Sequence, residues 1–269
     1  MVEFIKHNYE TLIIIAAVIL FVMLCFYLGS KRMRSKVIFY VSYALYKIGL
    51  KKRLSSYCLS RVHVKENYEH LVPLENHPKI IMNDDTVESP VLLRKKVVAK
   101  IFKIADELPD NLYIKVYSAY RSRIALNEKW NEELLRTQKE NEGIGRAELL
   151  SLVNSKVSSP RIKMGGHDTG GAIDLSLCDK NGNDIDFGTK YHEKRGDSNL
   201  TKEQRDNRNL LMKLMKSQGF VNYPGQWWHF SYGDKVWAAY KGKRLGALYG
   251  PAEKEFEKTG FVRIVKTDK

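Results

Sequence analysis

Residues 165–177 read GGHDTGGAIDLSL, a glycine-flanked turn that leads into a segment with the alternation of a strand. Because successive side chains of a strand point to opposite faces, Asp174 shares a face with Ala172 and Ser176, while the residues between them point to the core. A carboxylate on such a strand is costly unless it is paired or binds a metal. Glycine lacks a Cβ, so the turn before the strand can wrap closely around a ligand.

A second segment, residues 226–232, reads QWWHFSY and embeds His229 in a run of aromatic residues. Two histidines and one carboxylate, here His167, Asp174 and His229, can fill three positions of tetrahedral zinc and leave the fourth for a water. His229 is equally consistent with a histidine of the core, and such triplets also arise by chance. The residues alone leave both interpretations open.

The body of the chain, from about residue 60, has the pattern of one α+β domain. Apolar residues at helical spacing between Val91 and Leu108 predict an amphipathic helix, with Arg94 on its solvated basic face. Alternation over residues 112–117 predicts a strand that leads into Ala119, Tyr120 and Arg121. Further helices are predicted from Ser122 to Glu140 and after Thr201, which forms a capping box with Gln204.

Composition narrows the function classes. Three cysteines exclude a disulfide framework and Cys-rich zinc fingers, so any metal is held mainly by histidine and carboxylate. The net charge of +14 invites a nucleic-acid interpretation, but half of it lies in the first 60 residues. The remainder is mildly basic and has no RNA-binding or helix-turn-helix pattern, which argues against nucleic acid. No pattern specifies an oligomeric state.

The N-terminal charge distribution predicts a membrane anchor. Residues 11–30 carry no charge, and twenty helical residues span the roughly 30 Å of a bilayer core. Basic residues follow this run rather than precede it, which favours an uncleaved anchor over a signal peptide and places the main domain on the cytoplasmic side. The domains are therefore residues 1–30, tail and anchor; residues 31–60, a basic and aromatic segment beside anionic lipid; and residues 61–269.

Three separated motifs resemble the zinc D-alanyl-D-alanine dipeptidase family known from vancomycin resistance. They are the pattern from Gly166 to Leu175, the run from Trp227 to Asp234, and the pair Tyr120 and Arg121. Their order and spacing match the family over about residues 85 to 250. The resemblance implies a small, mostly antiparallel sheet flanked by helices, with one zinc ion at its edge.

The same resemblance implies roles for individual residues. The zinc ligands would be His167, Asp174 and His229. Arg121 would stabilise the charge that develops on the oxyanion, although an ordinary surface salt bridge is the alternative. Tyr120 would contact the substrate, a small D,D-peptide.

Two departures from the family pattern bear on activity. Gln226 stands where the family has the general-base Glu, and an amide cannot accept and return a proton, which removes a contribution of roughly 10²- to 10⁴-fold. His192 stands where the family has an Asp that receives the amino group of the dipeptide, with Glu193 as a neighbouring substitute. The resemblance still makes hydrolysis of D-alanyl-D-alanine or a related cell-wall peptide the first expectation.

Two other interpretations of Gln226 remain. One is a catalytically silent zinc-binding relative that binds peptidoglycan precursors or a partner protein. The other is a Gln226 introduced deliberately to trap substrate.

Overall fold

The computed structural model describes residues 19–24, 27, 29–74, 77–83, 85–86, 90–157, 166–193, 199–252, 254–256 and 262–264. The chain divides into two compact units, Met1–Arg61 and Val62–Lys269. Each unit is taken by itself below.

In the first unit, the described residues 19–24 and 27 are helical, and the helices α1 at Lys31–Lys47 and α2 at Ser56–Ser60 follow. The hydroxyl of Ser30 caps α1 by accepting from the Met33 amide at 3.3 Å. No helix in the described part of the chain is long and apolar enough to cross a bilayer. Most of the run in which the anchor was predicted, residues 11–18 with 25, 26 and 28, lies outside the described residues.

The part of the second unit that the structure describes is α+β, as predicted. Its five helices are α3 at Lys95–Asp106, α4 at Arg123–Glu140, α5 at Arg146–Lys156, α6 at Lys202–Ser217 and α7 at Lys235–Tyr240. Its nine strands are β1 at Leu71–Pro73, β2 at Ile80–Met82, β3 at Leu92–Arg94, β4 at Tyr113–Ser118, β5 at Ala172–Cys178, β6 at Val221–Asn222, β7 at His229–Ser231, β8 at Lys254–Phe256 and β9 at Val262–Ile264. A 3₁₀ turn at His167–Thr169 precedes β5.

The small, mostly antiparallel sheet that was expected is present, and the described strands also form a second sheet. The five-stranded sheet has the order β2-β4-β5-β7-β6, and only its β2–β4 pair is parallel. The four-stranded sheet has the order β3-β1-β9-β8 and is antiparallel. The larger sheet carries the predicted strands, and its alternation is as expected, because Ile173, Leu175 and Leu177 all lie in the hydrophobic core.

Helix α3 covers one face of the larger sheet. Its residues Val97, Ile101 and Ile104 are fully buried and share a core with Ile114 and Val116 of β4. Burial of aliphatic side chains of this size stabilises the fold by about 1.5–3 kcal/mol each. The core-facing side chains of β4 and β5, the strands that lead into the motifs of interest, therefore lie in the same core as α3.

The predicted start of the helix, near Val91, is wrong. Residues Leu92–Arg94 form β3, and α3 starts only at Lys95. Arg94 was expected on a solvated face but has no exposed surface. Its guanidinium pairs with Glu66 at 3.0 Å and donates to the carbonyl oxygen of Thr169 at 2.7 Å, and these partners supply the hydrogen bonds that water would otherwise provide.

The capping box that was predicted at Thr201 and Gln204 is confirmed at the start of α6, where each side chain bonds the other residue's backbone amide. Helix α4 begins after Ser122, whose hydroxyl accepts from the Ala125 amide at 3.1 Å. Helix α5 was not predicted. It follows the glycines that end the previous helical pattern, and its apolar residues show little separation from its polar ones.

Candidate active site

The turn that carries His167 is fixed from two sides. Gly170 has a φ of +69°, and an added Cβ there would overlap the Leu71 side chain, so this position requires glycine. The buried Arg94 donates from its backbone amide to the Gly170 carbonyl at 2.9 Å and from Nε to the Thr169 carbonyl at 2.7 Å. Both contacts tie the second sheet to the turn, which fixes the position of the His167 backbone.

Asp174 and His229 come together because β5 and β7 are antiparallel neighbours. Asp174 lies directly opposite His229 in the register, which places the two side chains on the same face. Asp174 Oδ1 is 2.8 Å from His229 Nδ1 and 3.3 Å from His167 Nε2. One ligand atom from each of the three residues lies within 4.8 Å of the others.

This donor set fits zinc. Two imidazole nitrogens and one carboxylate oxygen are ligands that zinc takes in catalytic sites, where three protein ligands leave a position for water or substrate. His167 Nδ1 is 2.7 Å from the carbonyl oxygen of Ala119, which can only accept. Nδ1 therefore carries the proton, and Nε2 presents its lone pair to the cluster, which is the arrangement usual for a metal-binding histidine.

The charged groups of the cluster shift each other's pKa values in the direction that favours their charged forms. Burial opposes ionisation of Asp174, but the two imidazoles hold the pKa of this carboxyl far below its ordinary value, so it is a carboxylate at neutral pH. Burial would lower the pKa of His229, whereas the hydrogen bond and charge of Asp174 raise it. A cation placed between the three side chains would take over the role of the protons on the imidazoles.

Tyr191 completes the surroundings of Asp174 and was missed by the sequence analysis. Its hydroxyl donates to Asp174 Oδ2 at 3.0 Å, and its ring stacks on Tyr117 with 4.3 Å between centroids. Burial and the charge of Asp174 raise the pKa of Tyr191, so it stays a donor. The sequence signal that could have identified Tyr191 is its position next to His192.

Arg121 follows β4 and lies beside the cluster. Its backbone amide donates to the His167 carbonyl at 3.1 Å, and its Nη2 donates to the Ser118 hydroxyl at 3.0 Å. No salt bridge of Arg121 is found among the described residues. Arg121 lines a cavity of about 280 Å³ together with Tyr120 and residues of α4, and the three clustered residues are not among those that line it.

Tyr120 lines the same cavity, and its hydroxyl is already engaged in a hydrogen bond. Its hydroxyl donates to the carbonyl oxygen of Ala252, and its amide donates to the Leu92 carbonyl at 3.0 Å. The residue therefore connects the cavity wall to the second sheet.

Gln226 lies in the turn between β6 and β7, three residues before His229. Its carbonyl accepts from the His229 amide at 3.2 Å and from Asn222 Nδ2 at 2.9 Å. These bonds fix the backbone of the turn and leave the partly exposed side chain of Gln226 uninvolved in it.

His192 is held between aromatic rings. It lies edge-on to Tyr191 at 4.1 Å between centroids and stacks on Trp228 at 6.0 Å. Its backbone has a φ of +68°, which is uncommon for a residue with a side chain. Burial lowers the pKa of His192, so the ring is neutral at pH 7 and offers no negative charge to an ammonium group.

The buried imidazole of His229, the partly buried imidazole of His167, a buried carboxylate and a neighbouring guanidinium define the site of a metal-dependent hydrolase. A family model described as D-ala-D-ala dipeptidase matches residues 92–244, which include the three clustered residues and Arg121. The chain belongs to this family, whose members are zinc hydrolases.

Curated relatives agree with this assignment. A D-alanyl-D-alanine dipeptidase of Synechocystis sp. is 28% identical over 206 residues, which is 64% of this chain and 82% of the relative. A D-alanyl-D-alanine dipeptidase of Escherichia coli (strain K12) is 38% identical over 69 residues, which is 24% of this chain and 36% of the relative.

Two solved structures align at low similarity. One is a mutant of the vancomycin resistance D,D-pentapeptidase VanY in complex with Zn(II), with a TM-score of 0.36 and 14% identity over 71% of this chain and 96% of that chain. The other is VanYB in complex with D-alanine-D-alanine, with a TM-score of 0.35 and 14% identity over 70% of this chain and 94% of that chain.

Proposed function

We propose that this chain hydrolyses D-alanyl-D-alanine or a related cell-wall D,D-peptide, with one zinc ion held by His167, Asp174 and His229. The observation that carries the proposal is the convergence of these three side chains, which are far apart in sequence, to within 4.8 Å inside the region that matches the family. When bound, zinc acts as a Lewis acid that polarises a carbonyl group and activates water.

The protein supplies the other parts of the reaction. Arg121 lies beside the cluster with a guanidinium that is always charged, so it suits the negative charge that develops on the attacked carbonyl oxygen. The backbone bond between Arg121 and the His167 carbonyl keeps it close to the proposed ligand. Tyr120 and the cavity next to Arg121 provide the wall against which a peptide would lie.

The site lacks a general base at the position where the family has Glu. Gln226 can donate or accept a hydrogen bond, but its amide cannot take a proton from water at neutral pH, so the rate should lack roughly 10²- to 10⁴-fold. His192 adds no negative charge that would attract the amino group of a dipeptide. Slow hydrolysis is the first expectation.

Gln226 also favours a second candidate function. A chain that keeps the cluster but lacks the base would bind a peptidoglycan precursor or a partner protein without cleaving it. The two functions differ in one observable: hydrolysis yields free D-alanine, whereas binding leaves the peptide intact.

The experiment is an incubation of the purified, zinc-loaded full chain with D-alanyl-D-alanine and with a longer peptide that ends in D-alanyl-D-alanine. Free D-alanine from the dipeptide supports the dipeptidase, and a shortened longer peptide supports C-terminal trimming. Asp174→Asn is the matched control, because it keeps the size of the side chain and removes the anionic ligand. Intact peptide together with saturable binding would favour the silent relative, and neither cleavage nor binding would contradict both.

We also propose that residues 11–30 anchor the chain in a membrane with the main domain on the cytoplasmic side. The support is the uncharged run itself and the excess of Lys and Arg after it. In α1, which follows the run, Tyr40 and Val41 are exposed, as expected for a helix that contacts lipid. Protease digestion of inverted and right-side-out vesicles tests this, since only the inverted vesicles should expose the domain. Protection in inverted vesicles, or recovery of the chain without membranes, would contradict it.

A further inference from the structure

The imidazole of His229 has different partners at its two nitrogens. Nδ1 faces Asp174 at 2.8 Å, and Nε2 lies 3.3 Å from the hydroxyl of Ser231. His229 and Ser231 are two residues apart on β7, so both side chains point to the same face of the sheet. Ser231 has no exposed surface and lies opposite Ala172, whose small side chain leaves room for this contact.

A tight turn at Gly233 connects Ser231, the last residue of β7, to Asp234. Gly233 has a φ of +74°, and an added Cβ would overlap the ring of Tyr249, so only glycine fits. The chain reverses there, and Asp234 becomes the N-cap of α7, accepting from the Trp237 amide at 2.8 Å. Burial raises the pKa of the Asp234 carboxyl, while hydrogen bonds from the Trp237 amide and the Ser231 side chain act to lower it.

Capping alone does not account for a carboxylate at this position. Asp234 has no exposed surface, and its Oδ2 has no hydrogen-bond partner among the described residues. No Lys or Arg within the described part of the chain forms a salt bridge with it, and Asp168 adds a nearby like charge. A buried anion without a cationic partner is costly, whereas Ser, Thr or Asn would cap the helix as well without that cost.

Ser231 connects Asp234 to the cluster. Its hydroxyl lies 3.3 Å from Nε2 of His229, the proposed ligand, and its side chain also forms a hydrogen bond to Asp234. A hydroxyl can accept one hydrogen bond and donate another, so Ser231 can accept from His229 Nε2 and donate to Asp234. This orientation leaves the lone pair of Nδ1 directed at the cluster.

We propose that Asp234 is a positioning residue for the metal centre, which acts through the Ser231 hydroxyl to hold the His229 imidazole with Nδ1 free to bind zinc. The inference rests on the proposed role of His229 as a zinc ligand. Carboxylates behind a metal-binding histidine raise its basicity and fix its orientation, and their loss commonly weakens metal binding 10- to 100-fold.

The test is a double-mutant cycle on the full chain with zinc affinity as the measurement, determined by competition with a chelator in the absence of peptide. Asp234→Asn keeps the size and the helix cap but removes the charge, and Ser231→Ala removes the connecting hydroxyl. Each is expected to lower zinc affinity by about 10-fold or more. Because both act through one chain of hydrogen bonds, the double variant should lose no more than the stronger single one.

A spectroscopic measurement separates positioning from mere stability. Cobalt(II) bound to each variant should show shifted visible absorption bands, because the ligand geometry has changed, while the metal-free variants unfold at nearly the wild-type midpoint. Thr201→Ala, which removes the cap of α6, is the matched control and should lower the unfolding midpoint with unchanged zinc affinity and cobalt spectrum.

Zinc affinity within twofold of wild type in folded Asp234→Asn and Ser231→Ala, or losses that add in the double variant, would overturn the inference. If Asp234→Asn does not fold, Ser231→Ala alone decides. A wild-type chain that binds no zinc would instead contradict the proposed function, so the two failures are distinguishable.

Discussion

Asp174 and His229 face each other across the β5–β7 pair, and 2.8 Å separates Asp174 Oδ1 from His229 Nδ1. This relationship is set by strand register, because a slip of one residue would turn one of the two side chains to the opposite face. The chemistry of the site therefore depends on the packing of the sheet.

Replacing Asp174 by Asn should reduce bound zinc from one ion per chain to a small fraction of that. The amide keeps the shape of the side chain but loses the charge that offsets a divalent cation. Metal analysis after dialysis is the measurement, with Asp206→Asn on the exposed face of α6 as the control that removes an equal charge elsewhere. Full zinc content in Asp174→Asn would contradict the assignment of this ligand.

Replacing Tyr191 by Phe should weaken zinc binding about 10-fold. The change removes the hydroxyl that donates to Asp174 Oδ2 at 3.0 Å and keeps the ring that stacks on Tyr117. Chelator competition measures the effect, and Tyr113→Phe on β4 serves as the control. If both variants bind zinc equally, Tyr191 has no part in orienting Asp174.

Replacing Arg94 by Met should destabilise the second unit by about 3–5 kcal/mol, because the change removes a fully buried charge and leaves the partly buried carboxylate of Glu66 without its partner. It also removes the Nε bond to the Thr169 carbonyl, so zinc affinity should fall together with stability. Urea unfolding is the measurement.

The control for Arg94 is Arg136→Ala on the exposed face of α4. The Arg136 side chain is exposed, and Glu133 keeps Lys156 as a second cationic partner at 2.8 Å, so the loss should cost at most about 1 kcal/mol. Equal losses of unfolding free energy in the two variants would show that the burial of Arg94 does not determine its contribution to stability.

Replacing Gln226 by Glu should raise the rate of D-alanyl-D-alanine hydrolysis by roughly 10²- to 10⁴-fold, since a carboxylate can accept a proton and return it. The increase should appear in kcat, with zinc content unchanged. Gln138→Glu on the exposed face of α4 adds the same charge and should leave the rate as it is. No gain in Gln226→Glu would indicate that the missing base does not limit this chain.

Removal of zinc should lower the melting temperature of the chain. At a free zinc concentration 100 times the dissociation constant, binding contributes about 2.7 kcal/mol, which corresponds to a shift of about 5–10 °C for a unit of this size. Thermal unfolding with and without a chelator measures the shift. A melting temperature that does not respond to zinc would contradict binding by the folded state.

The sequence predicts the parts of the fold in which local pattern and tertiary environment agree. The strand at Ile173–Leu177 has strict alternation, and the helix after Thr201 has a complete capping box, so both could be placed from local signals alone. The three candidate ligands were identified from their residue types and from the resemblance of the motifs that carry them. Contacts between strands that are distant in sequence bring them together, and no local pattern encodes those contacts.

Arg94 and Tyr191 show where sequence reasoning fails. Arg94 follows an apolar helical pattern, and only its long-range partners Glu66 and Thr169 turn it into a buried strand residue. Tyr191 lies outside any regular element, and its bond to Asp174 depends on the path of the loop after β5. The second sheet has strands of three residues each, which are too short for alternation to be detected.

The most direct test of the central claim is a crystal of the zinc-loaded chain measured on both sides of the zinc absorption edge. We predict one anomalous peak about 2.0–2.2 Å from His167 Nε2, His229 Nδ1 and a carboxylate oxygen of Asp174. A zinc-loaded crystal with no peak between these three atoms, or with its peak at other residues, would contradict the account.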